Sequence, residues 1–259
     1  MTNVLNNALA LLRLVADSDA PLGVIELSRL AKLDKSTTSR LLISLSSHQF
    51  VHRGADRKYR VGAGLLSLSA NFLGRQDVRH LAYPHLQRMR DATRETATLH
   101  LLVGDARVCI EGVESTEPVR RGVPLGEVQR LSEGPTGKAI LAFLPAPRQQ
   151  QVLQASGLSE HHLKGLCEQL AGIRDRGHIA VSDDSIFGVS GLSGPVFDSN
   201  GVVASITIAG PKQRWTPRRM DSYEQEFCLE LRLLSDAFSG RQDRDITTGR
   251  VRLRSEGFS

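Results

Sequence analysis

The sequence predicts an α+β fold in two unequal parts, and three observations carry that prediction. Apolar residues recur at helical spacing up to Ser47 and then give way to a short basic hairpin. From residue 97 onward the period switches to strands interleaved with helices, joined by turns suited to antiparallel pairing. At 259 residues the chain is longer than one average domain requires.

Composition narrows the class of protein before any element is placed. Hydrophobic residues make up 40% and charged residues 24%, the balance of an ordinary globular chain with enough apolar material for a core in each part. The longest apolar runs, 139–144 and 202–209, fall far short of the roughly 20 residues a membrane helix needs, and no basic segment leads into a signal core. A cytoplasmic protein with no membrane partner is therefore expected. Cys109, Cys167 and Cys228 are odd in number and widely spaced, which suits reduced core thiols better than disulfides or a zinc site.

Taking the elements in order, Leu5, Ala8, Leu9, Leu12 and Val15 give a first helix with one buried stripe, ended by the segment around Pro21. A second helix is expected over 24–31, with Ile25, Leu27, Leu30 and Ala31 inward, then a tight turn at 32–34 and a third helix over 35–47. Strands over 50–53 and 58–61 flank the polar turn 54–57, so a basic β-hairpin follows the helix-turn-helix as a wing. Residues 62–74 read as an apolar linker helix that packs against a second subunit, and 78–93 as a long amphipathic helix.

Strands are then expected at 97–103, 107–113, 177–181, 189–197 and 202–209, the first two joined by Gly104–Asp105. Helices are expected at 137–144, 147–155, 160–176 and 217–238, giving the second domain a mainly antiparallel sheet. The domain boundaries that follow are 1–61 for the winged helix, 62–76 for the linker helix, 77–239 for the larger domain and 240–259 for a flexible tail.

Charge points to a polyanion at the N-terminal end. The net charge is +5, and Arg29, Lys32, Lys35, Arg40, Arg53, Arg57, Lys58 and Arg60 crowd one short region opposed only by Asp34 and Asp56. Lys35, Ser36, Thr37, Ser39 and Arg40 on the third helix are the types that read base edges or hold phosphates. Arg57 and Lys58 on the wing would lie along the duplex backbone. As a plain surface helix, the same segment would use Ser36 or Thr37 as its cap.

In the larger domain Gly134-Pro135-Thr136-Gly137-Lys138 lacks both the spacing and the Ser/Thr of a P-loop. Thr136 can cap a helix whose free amides receive a carboxylate, or it can cap and nothing more. Asp184, in Asp183-Asp184-Ser185, can bond a ligand or belong to an ordinary turn, and Ser190 and Ser193 on one strand are read as facing one side. With Ser132 these make the candidate effector-binding set. His161-His162 with Cys167 lacks metal-ligand spacing, and His100 with Cys109 lacks an orienting third group, so no metal, no cofactor and no catalytic residue is expected.

This order of motifs resembles the IclR family of bacterial regulators over nearly all of residues 4–238. The resemblance rests on Lys35-Ser36-Thr37-Thr38-Ser39-Arg40-Leu41-Leu42, on Tyr59-Arg60-Val61-Gly62, on Pro135-Thr136-Gly137-Lys138-Ala139-Ile140-Leu141-Ala142, and on Gly194-Pro195-Val196-Phe197-Asp198 followed by Gly201. It implies a winged-helix DNA-binding domain, a GAF-like effector-binding domain, and homodimers or homotetramers on palindromic double-stranded operators. Small organic or aromatic acids are the implied effectors. Two departures are Lys32, where the family usually has a turn glycine, and Asn7, where the first helix often has a basic residue. Two other readings of the pattern stand beside it: a small-molecule enzyme with a winged-helix extension, and a winged helix used for protein docking.

Overall fold

A computed structural model describes residues 2–75, 78–182 and 188–247, and the chain divides into two compact units between Asp77 and Val78. In the first, α1 (Thr2–Ala16), α2 (Val24–Ala31) and α3 (Lys35–Ser47) precede the hairpin β1 (Val51–Arg53) and β2 (Tyr59–Val61), with α4 (Gly64–Arg75) after it. Leu11 and Val15 of α1, Leu27 of α2, Leu42 and Leu45 of α3, Val51 and Tyr59 are buried together, so the helical stripes and the hairpin close one core.

Two local devices set this geometry. Asp34 caps α3: its carboxylate accepts from the Thr37 amide at 2.8 Å and from the Ser36 hydroxyl at 2.6 Å. Those hydrogen bonds hold its carboxyl well below the usual carboxylate range. The cap is therefore neither Ser36 nor Thr37, because the extended residue ahead of the helix reaches the free amides and residues already inside it cannot.

Lys32 ends α2 in the left-handed conformation, φ 53° and ψ 42°, where its amide and that of Leu33 return to the last carbonyls. A lysine pays for this conformation with strain that a glycine would escape. Lys32→Gly should accordingly stabilise the unit by about 0.5–1 kcal/mol, part of the gain being offset by glycine's freer unfolded chain. Urea unfolding of the full-length variant checks the sign; a loss of stability would mean that the lysine side chain contributes more than its backbone strain costs.

In the second unit α5 (Val78–Thr93) leads to β3 (Thr96–Val103), β4 (Ala106–Val113) and β5 (Val128–Arg130). There follow α6 (Gly134–Leu141), α7 (Ala146–Ala155), α8 (Glu160–Arg176), β6 (Ile179–Val181), β7 (Val189–Asp198), β8 (Gly201–Pro211) and α9 (Pro217–Thr247). The sheet runs β5-β4-β3-β8-β7-β6 and every neighbouring pair is antiparallel.

Strand alternation sorts the side chains. Ala97, Leu99, Leu101, Leu192, Val196, Ala204, Ile206 and Ile208 meet α5 and α9 in one core. A second core gathers α6, α7 and α8 around Ile140, Leu141, Val152, Leu166 and Ile173. Both faces of the central strands are thus covered, so Thr96, Thr98, His100, Ser193 and Thr207 on them are buried.

The structure departs from the sequence reading in the helical stripes of the first unit, where Leu5, Leu9, Ile25 and Leu30, expected inward, are exposed, and in three further elements. Strand β5 was not expected, since three residues show no period of their own and its pairing with Ala106, Arg107 and Val108 defines it. Helix α6 begins at Gly134 rather than 137, because Gly134 adopts φ 64° and Pro135 is preset for a first turn. Helix α9 continues to Thr247, past the expected end at 238 and into the segment read as tail, for a single Gly240 is too weak a breaker to stop it. Residues 248–259 of that tail lie outside the described residues. Among the described residues no helix is long and apolar enough to cross a membrane.

Candidate functional site

In the first unit the candidate interface is built by α3 and the hairpin. Lys35, Ser36 and Arg40 are exposed, and Thr37 and Ser39 half-buried, while Thr38 turns inward and donates to the Asp34 carbonyl at 2.9 Å. Among the described residues Arg40 makes only a long contact of 3.4 Å to the Thr37 hydroxyl, which leaves most of its guanidinium available. Ser36 is already engaged by Asp34, so its hydroxyl has an acceptor before any other partner arrives.

The hairpin pairs Val51 with Val61 and Arg53 with Tyr59. Its turn is closed by Gly54 donating to the Lys58 carbonyl at 2.9 Å, with Arg57 at φ 61°. Arg57 and Lys58 project exposed at the tip, whereas Arg60 is bound to Asp56 at 2.7 Å. At the wing exit a Cβ on Gly62 would stand 2.1 Å from the Gln49 carbonyl oxygen, so only glycine lets the chain pass there.

In the second unit a cavity of about 440 Å³ lies on the side of the sheet where α6 packs. Thr96, Thr98 and His100 of β3, Arg107 of β4 and Thr207 of β8 form its floor. Gly134, Pro135 and Thr136 at the start of α6 stand to one side, and Arg121, Gly122, Pro124 and Glu127 from the loop before β5 to another. A continuous polar chain crosses the floor. Arg107 Nη1 donates to His100 Nδ1 at 2.9 Å, so His100 carries its proton on Nε2 and donates it to Thr98 Oγ1 at 3.1 Å. The Thr207 hydroxyl meets those of Thr136 at 2.7 Å and Ser193 at 2.8 Å.

Burial, followed by the charges of Arg107 and Arg121, pushes the His100 pKa down to about 3, so the imidazole is neutral at physiological pH. Burial pushes the thiol of Cys109, the cross-strand neighbour of His100, up to about 11. The thiol therefore stays protonated, and the imidazole is committed to Arg107 and Thr98; the two do not form a nucleophile and base.

Of the residues expected to contact an effector, Thr136 and Ser190 border this cavity. Thr136 is not a cap: it sits inside the first turn of α6, which starts earlier than expected, and its hydroxyl is spent on Thr207. Ser193 lies one layer back, behind Thr207, and Ser132 stands in the turn before α6 outside the lining. Asp184 falls outside the described residues.

Ser190 and Ser193 do not face one side, since positions three apart on a regular strand have opposite parity. Ser190 shares the parity of Leu192, which packs toward α9, and its buried hydroxyl has no hydrogen-bond partner. The sequence reading missed Arg107, Arg121 and Thr207, and it took His100 for a plain buried strand residue. The available signal was polar alternation: Thr96, Thr98 and His100 interleave with Ala97, Leu99 and Leu101 on a strand whose two faces are both covered.

A winged helix-turn-helix with exposed cations on α3 and its hairpin, together with an α+β domain that holds a cavity with a polar floor, defines a class: the DNA-binding transcriptional regulator with a separate C-terminal domain. Residues 4–55 match the model of the IclR helix-turn-helix domain and residues 70–235 that of the bacterial transcriptional regulator IclR C-terminal domain. The chain belongs to the IclR family of transcriptional regulators.

Its relatives agree with that membership. It is 27% identical over 226 residues to the HTH-type transcriptional repressor AllR of Escherichia coli, covering 84% of this chain and 83% of that one. The crystal structure of the Thermotoga maritima IclR superposes with a TM-score of 0.67 at 25% identity, over 92% of this chain and 99% of that one. An IclR homologue from Microbacterium hydrocarbonoxydans, crystallised with 4-hydroxybenzoate, superposes with a TM-score of 0.75 at 20% identity, over 90% and 99%.

Proposed function

We propose that this regulator binds palindromic operator DNA in the cytoplasm as a homodimer or homotetramer, and that a small organic or aromatic acid in its cavity changes that binding. The cavity carries the proposal. Its volume of about 440 Å³ suits one small metabolite, and Arg107, Arg121 and the start of α6 give it a positive pole against a polar floor. The Microbacterium relative's complex with an aromatic acid supports the same reading. For assembly, α4 presents Leu66 and Leu68, 72% and 54% exposed, as an apolar surface for a second copy.

The mechanism is a shift of population. An acid that favours one arrangement of the subunits changes the separation of their two α3 helices. Paired half-sites demand a separation near one helical turn or a multiple, so a small rotation alters affinity. Lys35, Ser36, Thr37, Ser39 and Arg40 read the groove in this scheme, and Arg57 and Lys58 hold the backbone.

A gel shift on the DNA upstream of the protein's own gene, at two salt concentrations and with a panel of acids, tests the proposal. Specific retardation altered by one acid is the expected result. Retardation on no fragment, or retardation that no acid alters, refutes the corresponding half. On the same operator Arg40→Ala should cost roughly 1–3 kcal/mol of specific binding, whereas Lys58→Ala should weaken all duplexes alike and flatten the salt slope. An unchanged operator preference in Arg40→Ala would remove Arg40 from base reading.

A further inference from the structure

The cavity holds a buried cation that no carboxylate bonds among the described residues. Arg107 is only 6% exposed and contributes to the cavity wall. Its described partners are both neutral, His100 Nδ1 and the Gln129 side-chain oxygen, and its Nε is buried with no acceptor among the described residues. Glu127 and Glu133 stand near enough to favour its charge, yet neither bonds it among the described residues. Glu127 is instead held by Gln129, which donates to it at 2.6 Å.

An uncompensated buried charge is costly, and an arginine cannot shed its proton to escape that cost. The contrast within the same unit is Arg214, whose guanidinium meets Glu95 through two hydrogen bonds of 2.6 and 2.7 Å. Arg107 therefore keeps an opening for a counter-ion.

The opening has a definite place. A Cβ built on Gly134 would lie 3.6 Å from Arg107 Nη2, so the guanidinium stands directly beside the first turn of α6. The free amides of that turn and the arginine fork present positive charge to the same small volume. His100 fixes the guanidinium from the other side and, being neutral, brings no competing charge to the spot.

We infer that Arg107 is the residue that recognises the effector's charge: a carboxylate enters beside the first turn of α6 and supplies the bonded counter-ion that no described residue gives Arg107. The inference rests on reading the cavity as the effector site. It makes the acid group obligatory, so that the uncharged amide of an effector is rejected, and it casts His100 as a positioning residue for the guanidinium. It also requires the empty protein to carry an energetic penalty that binding removes.

Thermal melting of full-length protein tests this, with formate, acetate, benzoate and 4-hydroxybenzoate as probes, each beside its amide. The wild type should melt higher with at least one acid and not with the matching amide. Arg107→Met should melt higher than the wild type when no acid is present, because it removes an unpaired buried charge, and should bind the acid on the order of a hundredfold more weakly. Arg107→Lys should keep part of the acid response, since it retains the charge and loses the fork. An acid shift of equal size in Arg107→Met and wild type would place charge recognition elsewhere while leaving the cavity reading intact. A lower melting point for acid-free Arg107→Met would make Arg107 a structural support and overturn the inference. No shift of the wild type by any of the acids would refute the cavity reading and this inference together.

Discussion

Leu42→Ala should destabilise the winged-helix unit by about 2–5 kcal/mol and abolish DNA binding at physiological temperature. Leu42 is fully buried, in a core shared with Leu11, Leu27, Leu45, Val51 and Tyr59, so truncation opens a cavity where three helices and the hairpin meet. A domain of this size is stable by only about 5–15 kcal/mol at best, and a loss of this order is a large share of it. Ile43 beside it is 62% exposed, and Ile43→Ala should stay within about 0.5 kcal/mol. The two cores of the other unit contain none of these residues, so the response of that unit's melting to ligands should survive in Leu42→Ala. Calorimetry of the full-length variants checks this. If Leu42→Ala and Ile43→Ala melt together, or if Leu42→Ala removes the ligand response as well, the assignment of Leu42 to an independent core fails.

Much of the first unit was legible because its signals are local. Leu27, Leu42 and Leu45 fall on helical stripes, and Asp34, Pro21 and the turn at 54–57 punctuate the chain within a few residues of where each acts. Lys32 is instructive: the resemblance marked the turn as wanting glycine, and the backbone there does adopt φ 53°, with the helix-end hydrogen bonds compensating the strain. The cavity was half legible. The start of α6 stood out as a motif, but Arg107 and Thr207 belong to strands far apart in sequence that only the order β4-β3-β8 makes neighbours. No local period announces that a threonine on one strand will bond a threonine on a helix 71 residues away. The error over Ser190 and Ser193 was one of parity, and the alternation of Leu192 with Ser193 contained the answer.

Arg214→Ala should be among the most damaging single changes in the larger unit, costing about 3–5 kcal/mol. Glu95, between α5 and β3, is fully buried at 0% side-chain exposure, and Arg214 supplies its two short charged hydrogen bonds. Arg219 stands 4.0 Å from the same carboxylate and cannot replace that fork, since its own groups are given to the Arg214 and Thr93 carbonyls. Gly210 packs so closely that a Cβ there would lie 2.1 Å from a Glu95 oxygen, leaving little room for water to take the arginine's place. Arg214 also donates to the Val119 carbonyl at 3.0 Å, and Thr96 donates to the Arg121 carbonyl at 2.5 Å. The loop that brings Arg121, Gly122 and Pro124 to the cavity is thus tied down through the same corner, so Arg214→Ala should weaken effector binding as well as stability. Adding Glu95→Gln removes the stranded charge, so the double variant should recover a substantial part of the lost stability while the loop remains untethered and binding remains weak. Urea unfolding beside ligand titration separates the two effects. A double variant no more stable than Arg214→Ala would show that the loss came from the loop contacts and not from the buried carboxylate.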